Sequence, residues 1–102
     1  MTERAFLCNV AELPAEGAAK EFTVGNRTLC VARVNGELAA LDNVCLHRGG
    51  PLGQGTIEGG KIICPWHGWA FDPKSGEAVH SAMAKVQTFR ISIEGDDVVV
   101  EL

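Results

Sequence analysis

Cys45-Leu46-His47 and Cys64-Pro65-Trp66-His67 are the stretch on which the reading turns. One pair has the form C-x-H and the other C-x-x-H, and residues 48 to 63 separate them. Each pair offers one sulfur and one imidazole nitrogen. The segment that follows the first pair, Arg48-Gly49-Gly50-Pro51-Leu52-Gly53-Gln54-Gly55, is too rich in glycine to be a strand. The residues around the second pair, Pro65, Gly68 and Trp69, also break regular structure. Two loops, each carrying two metal-ligand side chains, therefore have to be gripped by something else.

The rest of the chain reads as that grip. Ala5–Val10 is apolar enough for an opening strand, and Glu12–Gly17 is a connector. A short helix is the expectation over Ala15–Lys20, followed by a strand at Glu21–Val24. Thr28–Val34 and Glu37–Asp42 flank Asn35-Gly36. An Asn-Gly pair between apolar stretches is a strong hairpin signal, because both central residues of a type I′ turn need positive φ. Thr56–Glu58, Gly59-Gly60 and Lys61–Ile63 make a second hairpin that leads into Cys64. Ala70–Asp72 leaves the second loop and Pro73–Gly76 turns the chain. Phe89, Ile91 and Ile93 alternate with polar residues at period two, and Val98–Leu102 closes the chain. The expectation is one all-β domain over residues 1–102, with a loop-rich insertion from about residue 43 to 72.

Composition narrows the function. Apolar residues make up 46% and charged residues 22%, as in an ordinary globular domain. The net charge is −4, with nine Lys and Arg scattered along the chain, so no nucleic-acid surface is expected. No apolar run approaches the ~20 residues that span a bilayer, and no membrane role is expected. The start, Met1-Thr2-Glu3-Arg4, lacks the pattern of a secretory signal, which points to the cytoplasm. Four cysteines in such a compartment are not expected to form disulfides. Only Cys45 and Cys64 have a histidine within three residues; Cys8 and Cys30 fall on apolar strand faces and read as buried free thiols.

A Cys2His2 set binds zinc as well as iron. Zinc fingers usually group their cysteines and histidines separately. One Cys and one His from each loop suits a two-metal object whose ends need different ligands, as where two His replace two Cys on one iron of a [2Fe–2S] cluster. A single zinc is the competing reading.

Cys45-Leu46-His47-Arg48-Gly49-Gly50-Pro51-Leu52 together with Cys64-Pro65-Trp66-His67-Gly68-Trp69 resembles the Rieske signature, C-x-H followed by C-x-x-H. The resemblance implies a small antiparallel β-sandwich with a two-loop cluster-binding subdomain. It implies one [2Fe–2S] cluster per chain, with Cys45 and Cys64 on one iron and His47 and His67 on the other. Pro51 is expected to stiffen its loop and cover the cluster. Two thiolates and two neutral imidazoles leave the ferric cluster formally neutral, which raises its potential above that of all-cysteine ferredoxins, roughly −150 to +300 mV against about −400 mV. High-potential relatives carry a disulfide between the loops, and a serine and a tyrosine that donate to the cluster. Gly50, Trp66 and Trp69 stand at the matching cysteine and serine positions, and the chain has no tyrosine. A potential near the bottom of the range is expected.

The family also supplies the functional expectation. The chain is similar to ferredoxins that carry single electrons from a flavin-dependent reductase to the terminal oxygenase of an aromatic-ring-hydroxylating system. It is then an electron-transfer component, not an enzyme, and a monomer that docks transiently around His47, His67 and Trp66. The small subunit of an NAD(P)H-dependent nitrite reductase is the alternative, and a zinc-stabilised interaction module is a third. An oxygenase catalytic subunit would need a further two-histidine, one-carboxylate site; after His67 only His80 remains here, and it reads as an exposed structural residue. The glycines of the first loop are expected to wrap it tightly and to aim N–H groups at the cluster sulfurs. Trp69 and Phe71 are expected in the core at the base of the second loop, and Trp66 at an exposed tip.

Overall fold

A computed structural model describes residues 4–44, 51–66, 68–79 and 81–102, and for residues 81–84 the backbone alone. Among the described residues eleven strands are formed: β1 Arg4–Asn9, β2 Ala18–Val24, β3 Arg27–Val34, β4 Glu37–Asp42, β5 Thr56–Glu58, β6 Lys61–Ile63, β7 Ala70–Phe71, β8 Glu77–Ala78, β9 Ser81–Lys85, β10 Thr88–Glu94 and β11 Asp97–Glu101. Short 3-10 turns lie at Val10–Glu12 and Leu52–Gln54, and there is no α-helix among the described residues. All pairings are antiparallel. One sheet has the order β1-β11-β10-β4-β3-β2 and the other β5-β6-β7-β8-β9. The fold is the antiparallel β-sandwich expected.

The expected helix at Ala15–Lys20 is not formed. Ala18, Ala19 and Lys20 lie in β2, opposite Arg33, Ala32 and Val31 of β3. Gly17, with φ of 78°, ends any helical run, and its N–H donates to the Arg33 carbonyl at 2.8 Å. Pairing along the whole of β3 outweighs the weak helix preference of two alanines and a lysine.

β3 and β4 form the spine, and their side chains feed two cores. Leu29, Val31 and Ala40 join Leu7, Cys8, Phe89, Val98 and Val100 on one face. Cys30, Ala32 and Leu41 point the other way, to Leu52, Ile62, Cys64, Phe71, Ala78 and Val86. The period of two thus puts alternate residues of one strand into different cores. The second core is what joins the small sheet to the large one.

The β3–β4 turn is the predicted type I′ pair, with φ of 55° at Asn35 and 76° at Gly36. Glu16 locks it: one carboxylate oxygen accepts from Asn35 N at 2.7 Å and the other from Gly36 N at 2.6 Å. The β5–β6 hairpin is also as predicted, with Thr56 opposite Ile63 and Glu58 opposite Lys61. The small sheet continues through β8 and β9 to Lys85, beyond the turn read from sequence at Pro73–Gly76.

Candidate metal centre

Of the four predicted ligands, Cys64 lies within the described residues. Cys45, His47 and His67 lie outside them, as do Arg48 and His80. The site is therefore built from Cys64 and from the flanks of the two loops.

The first loop is closed at its base. Val44 and Pro51 form an isolated antiparallel bridge. Inside that bridge, Leu52 N donates to the Asn43 carbonyl at 2.8 Å, and Asn43 N donates to the Thr28 carbonyl at 3.2 Å. The 3-10 turn Leu52–Gln54 follows, with Leu52 fully buried. Asn43 is the buried polar residue among those described, 6% exposed. Its Nδ2 donates to Glu21 Oε2 at 2.6 Å, and its Oδ1 accepts from Gly53 N at 2.7 Å. Gln54 Nε2 donates to the other Glu21 oxygen at 3.0 Å.

The second loop leaves β6 at Cys64. Cys64 N donates to the Trp69 carbonyl at 2.8 Å, and Gly68 N donates to the Cys64 carbonyl at 3.1 Å. These bonds tie Cys64 to Gly68 and Trp69 across the base of the loop. Cys64 itself is buried in the second core, whereas Pro65 and Trp66 are exposed, Trp66 at 56%. Trp69 is half-buried against that core, with its ring 6.4 Å from that of fully buried Phe71. The expected split between an outer Trp66 and an inner Trp69 and Phe71 is observed.

The two loops are packed on each other. A Cβ at Gly55, where the first loop ends, would lie 2.0 Å from the carbonyl oxygen of Ile63, the residue before Cys64. Leu52 and Cys64 share one apolar cluster. A displacement of either flank is therefore felt by the other.

Of the four first-loop glycines expected to donate to sulfur, Gly49 and Gly50 lie outside the described residues, and the amides of Gly53 and Gly55 do something other than expected. Gly53 N–H donates to Asn43 Oδ1, Gly55 N–H to the Leu52 carbonyl, and Gly68 N–H to the Cys64 carbonyl. These three donors are committed to the protein, not aimed at cluster sulfurs. The expected donor role therefore fails at Gly53 and Gly55. For Pro51 the structure shows a bridge residue at the loop base, half-buried.

The other thiols behave as predicted. Cys8 and Cys30 are buried and unpaired. Burial pushes the Cys30 thiol up to about 12, and Glu21 on the neighbouring strand adds to the shift. Cys30 is thus a neutral thiol at physiological pH and a poor metal donor. Cys64, held at the mouth of a turn with apolar side chains behind it, has what a structural thiolate ligand needs: a fixed backbone and a shell that excludes water. Among the described residues no cluster of three or more His, Cys, Asp and Glu side chains is arranged to hold a metal. Sequence reasoning missed Glu21, Asn43 and Gln54. The signal for Asn43 was weak: a polar residue after Asp42, two positions before a predicted ligand.

A family model for the Rieske [2Fe-2S] domain matches residues 3–90. The ferredoxin component of a naphthalene 1,2-dioxygenase system from Pseudomonas aeruginosa is 35% identical over 92 residues, covering 89% of this chain and 88% of the relative. A ferredoxin of Sphingomonas yanoikuyae B1 superposes with a TM-score of 0.85 at 29% identity, covering 98% of this chain and 99% of that one. A chain from a complex of reduced oxygenase and oxidized ferredoxin in carbazole 1,9a-dioxygenase superposes with a TM-score of 0.80 at 28% identity, covering 94% and 99%.

Proposed function

The chain belongs to the Rieske [2Fe–2S] domain family and carries its cluster as an electron-transfer component, not a catalyst, and from that premise we propose that it is a low-potential shuttle between a flavin-dependent reductase and a ring-hydroxylating oxygenase. The observation that carries this reading is likeness over the full domain to dedicated ferredoxin components. A zinc module does not fit a [2Fe–2S] family, and those relatives favour a carrier over a nitrite reductase subunit.

Cys45 and Cys64 would hold one iron, and His47 and His67 the other. When bound, the cluster supplies a reversible one-electron centre. The protein's part is to fix and shield it. Leu52, Ile62 and Phe71 back Cys64 with fully buried apolar side chains and keep water from that side. The Cys64–Gly68 and Cys64–Trp69 bonds fix the direction from which the sulfur approaches. Committing the Gly53, Gly55 and Gly68 amides elsewhere leaves fewer donors for sulfur, which supports a low potential. Exposed Trp66 and Pro65, which precede His67 in the sequence, offer an apolar surface suited to the small, transient contacts of redox partners. The proposal includes a cytoplasmic monomer; among the described residues no helix is long and apolar enough to cross a membrane.

Visible and EPR spectra of the purified protein, with a redox titration, test the reading. A reduced form with a Rieske-type signal and a potential near the bottom of the family range is expected. A midpoint well above about +100 mV would remove the low-potential assignment. His67→Ala should abolish the spectrum and lower the iron content; unchanged values would overturn the ligand set.

A further inference from the structure

The first loop has a clamp that the ligand pattern does not contain. Glu21 sits on β2, outside both loops. One of its oxygens receives Asn43, at the entry of the loop, and the other receives Gln54, at the exit. Asn43 also reaches the exit, through Gly53 N at 2.7 Å. Three residues thus tie the two flanks of residues 45–50 to one strand of the large sheet.

The chemistry of the triad fixes its geometry. A carboxylate accepts and cannot donate. Facing Glu21, Asn43 must present its Nδ2, and its Oδ1 then faces Gly53. The orientation of the Asn43 amide, and with it the loop exit, is therefore set by Glu21. The site admits no slack: a Cβ at Gly53 would stand 2.4 Å from Glu21 Cγ and 2.8 Å from Asn43 Oδ1. Asn43 is buried, so losing a partner leaves a polar group without water to replace it.

We infer that Glu21 is a positioning residue for the cluster: acting through Asn43 and Gln54, it holds the loop that bears Cys45 and His47 in the geometry that retains iron. The inference rests on the ligand assignment above. It makes Glu21 distinct from Glu16, which clamps the Asn35-Gly36 turn by two hydrogen bonds of similar length but touches no loop flank.

The experiment uses the cluster-loaded full chain. Bleaching of the visible spectrum in excess chelator gives the rate of cluster loss, and amide exchange at Gly53 reports the clamp itself. Glu21→Ala should lose its cluster roughly tenfold to a hundredfold faster, as expected for loss of hydrogen bonds to a charged group, with faster Gly53 exchange. Glu16→Ala should lower thermal stability while leaving both rates near wild type. Glu21→Gln should be close to wild type, because Gln54 can turn its amide to accept from the new donor. Asn43→Asp, which sets two carboxylates against each other, should fail like Glu21→Ala. Combining it with Glu21→Gln should restore retention, since the glutamine Nε2 then donates to the aspartate. That pair keeps the test open if Glu21→Ala does not fold. Wild-type retention in Glu21→Ala, equal acceleration in Glu16→Ala, or no rescue in the double variant would overturn the inference. Failure of the ligand assignment is seen separately, as a cluster that survives His67→Ala.

Discussion

The two sheets are built on different principles. In the large sheet β3 and β4 pair over six residues, from Leu29–Asp42 to Val34–Glu37, and four consecutive side chains of β3, Leu29 to Ala32, are fully buried. Such a ladder, closed over its own core, holds itself. In the small sheet β7 and β8 have two residues each and pair through Phe71 and Ala78. Strands that short do not persist unaided. Contacts from outside the ladder hold them: Phe71 and Ile62 in the shared core, turns closed by hydrogen bonds, and the proposed cluster bridging the two loops. The large sheet is the support, and the small sheet is the mount for the two loops.

Removing iron breaks this comparison most severely. Binding that stabilises only one state adds on the order of 4 kcal/mol once ligand exceeds its dissociation constant a thousandfold. Loss of the cluster should therefore raise amide exchange across β5–β9 by at least about a hundredfold. Amides of β3, β4, β10 and β11 should change little. Hydrogen exchange on loaded and chelated protein measures both. Uniform loss of protection would show that the two sheets fold as one unit.

Two core truncations come next. Phe71→Ala and Leu29→Ala each remove a fully buried side chain, at a cost of about 2–5 kcal/mol. The expected consequences differ. Phe71→Ala should shorten cluster lifetime more than it lowers the thermal midpoint of the whole chain. Leu29→Ala should do the reverse, because its core contains none of the described loop residues.

Gly55→Ala sharpens the contact between the halves. Its Cβ would meet backbone, the Ile63 carbonyl, and backbone does not rotate away. Overpacking of this kind costs about 1–3 kcal/mol. The chain should still fold, with a changed EPR line shape as Cys64 is displaced. An unchanged spectrum would mean that the first loop yields and the second does not.

The same contrast explains what was legible in the sequence. Hairpins whose turns have special chemistry were readable: Asn35-Gly36 and Gly59-Gly60 placed β3 to β6 within a residue or so. β8 and β9 were not, because Glu77-Ala78 is too short to display a period and takes its conformation from Phe71 across the pair. β2 was misread over Ala18–Lys20 because its strand character comes from β3. At the proposed site, the inward Trp69 and Phe71 were readable from local pattern. Glu21 and Asn43 were not, since they meet across 22 positions, and nothing local in either residue names the other.

The smallest expected effect is on acid stability, and it separates the sheets through one side chain. Asp72 follows β7, and its Oδ1 accepts from Lys74 N at 2.8 Å and from Ser75 N at 3.3 Å. The Lys74 bond, more than any other contact, holds its carboxyl below the ordinary 3.8; burial opposes this, and Ser75 and Lys61 assist. The unfolded chain then binds the proton more tightly than the folded one. The stability Asp72 contributes is fully present above pH 3.8 and is lost as pH falls through its lower folded value. The side chain is 37% exposed, so the effect is small. It is also local, because Gly76 N donates to the Asp72 carbonyl and Val86 N to the Gly76 carbonyl. On acidification below pH 3.8, exchange at Gly76 and Val86 should accelerate before that at Val31 in the large sheet, beyond the intrinsic change with pH. Asp72→Asn, which keeps an acceptor for Lys74 but cannot titrate, should remove that difference. If Gly76 and Val31 lose protection together in the parent chain, acid acts on the molecule as a whole and the turn at Asp72 is not its weak point.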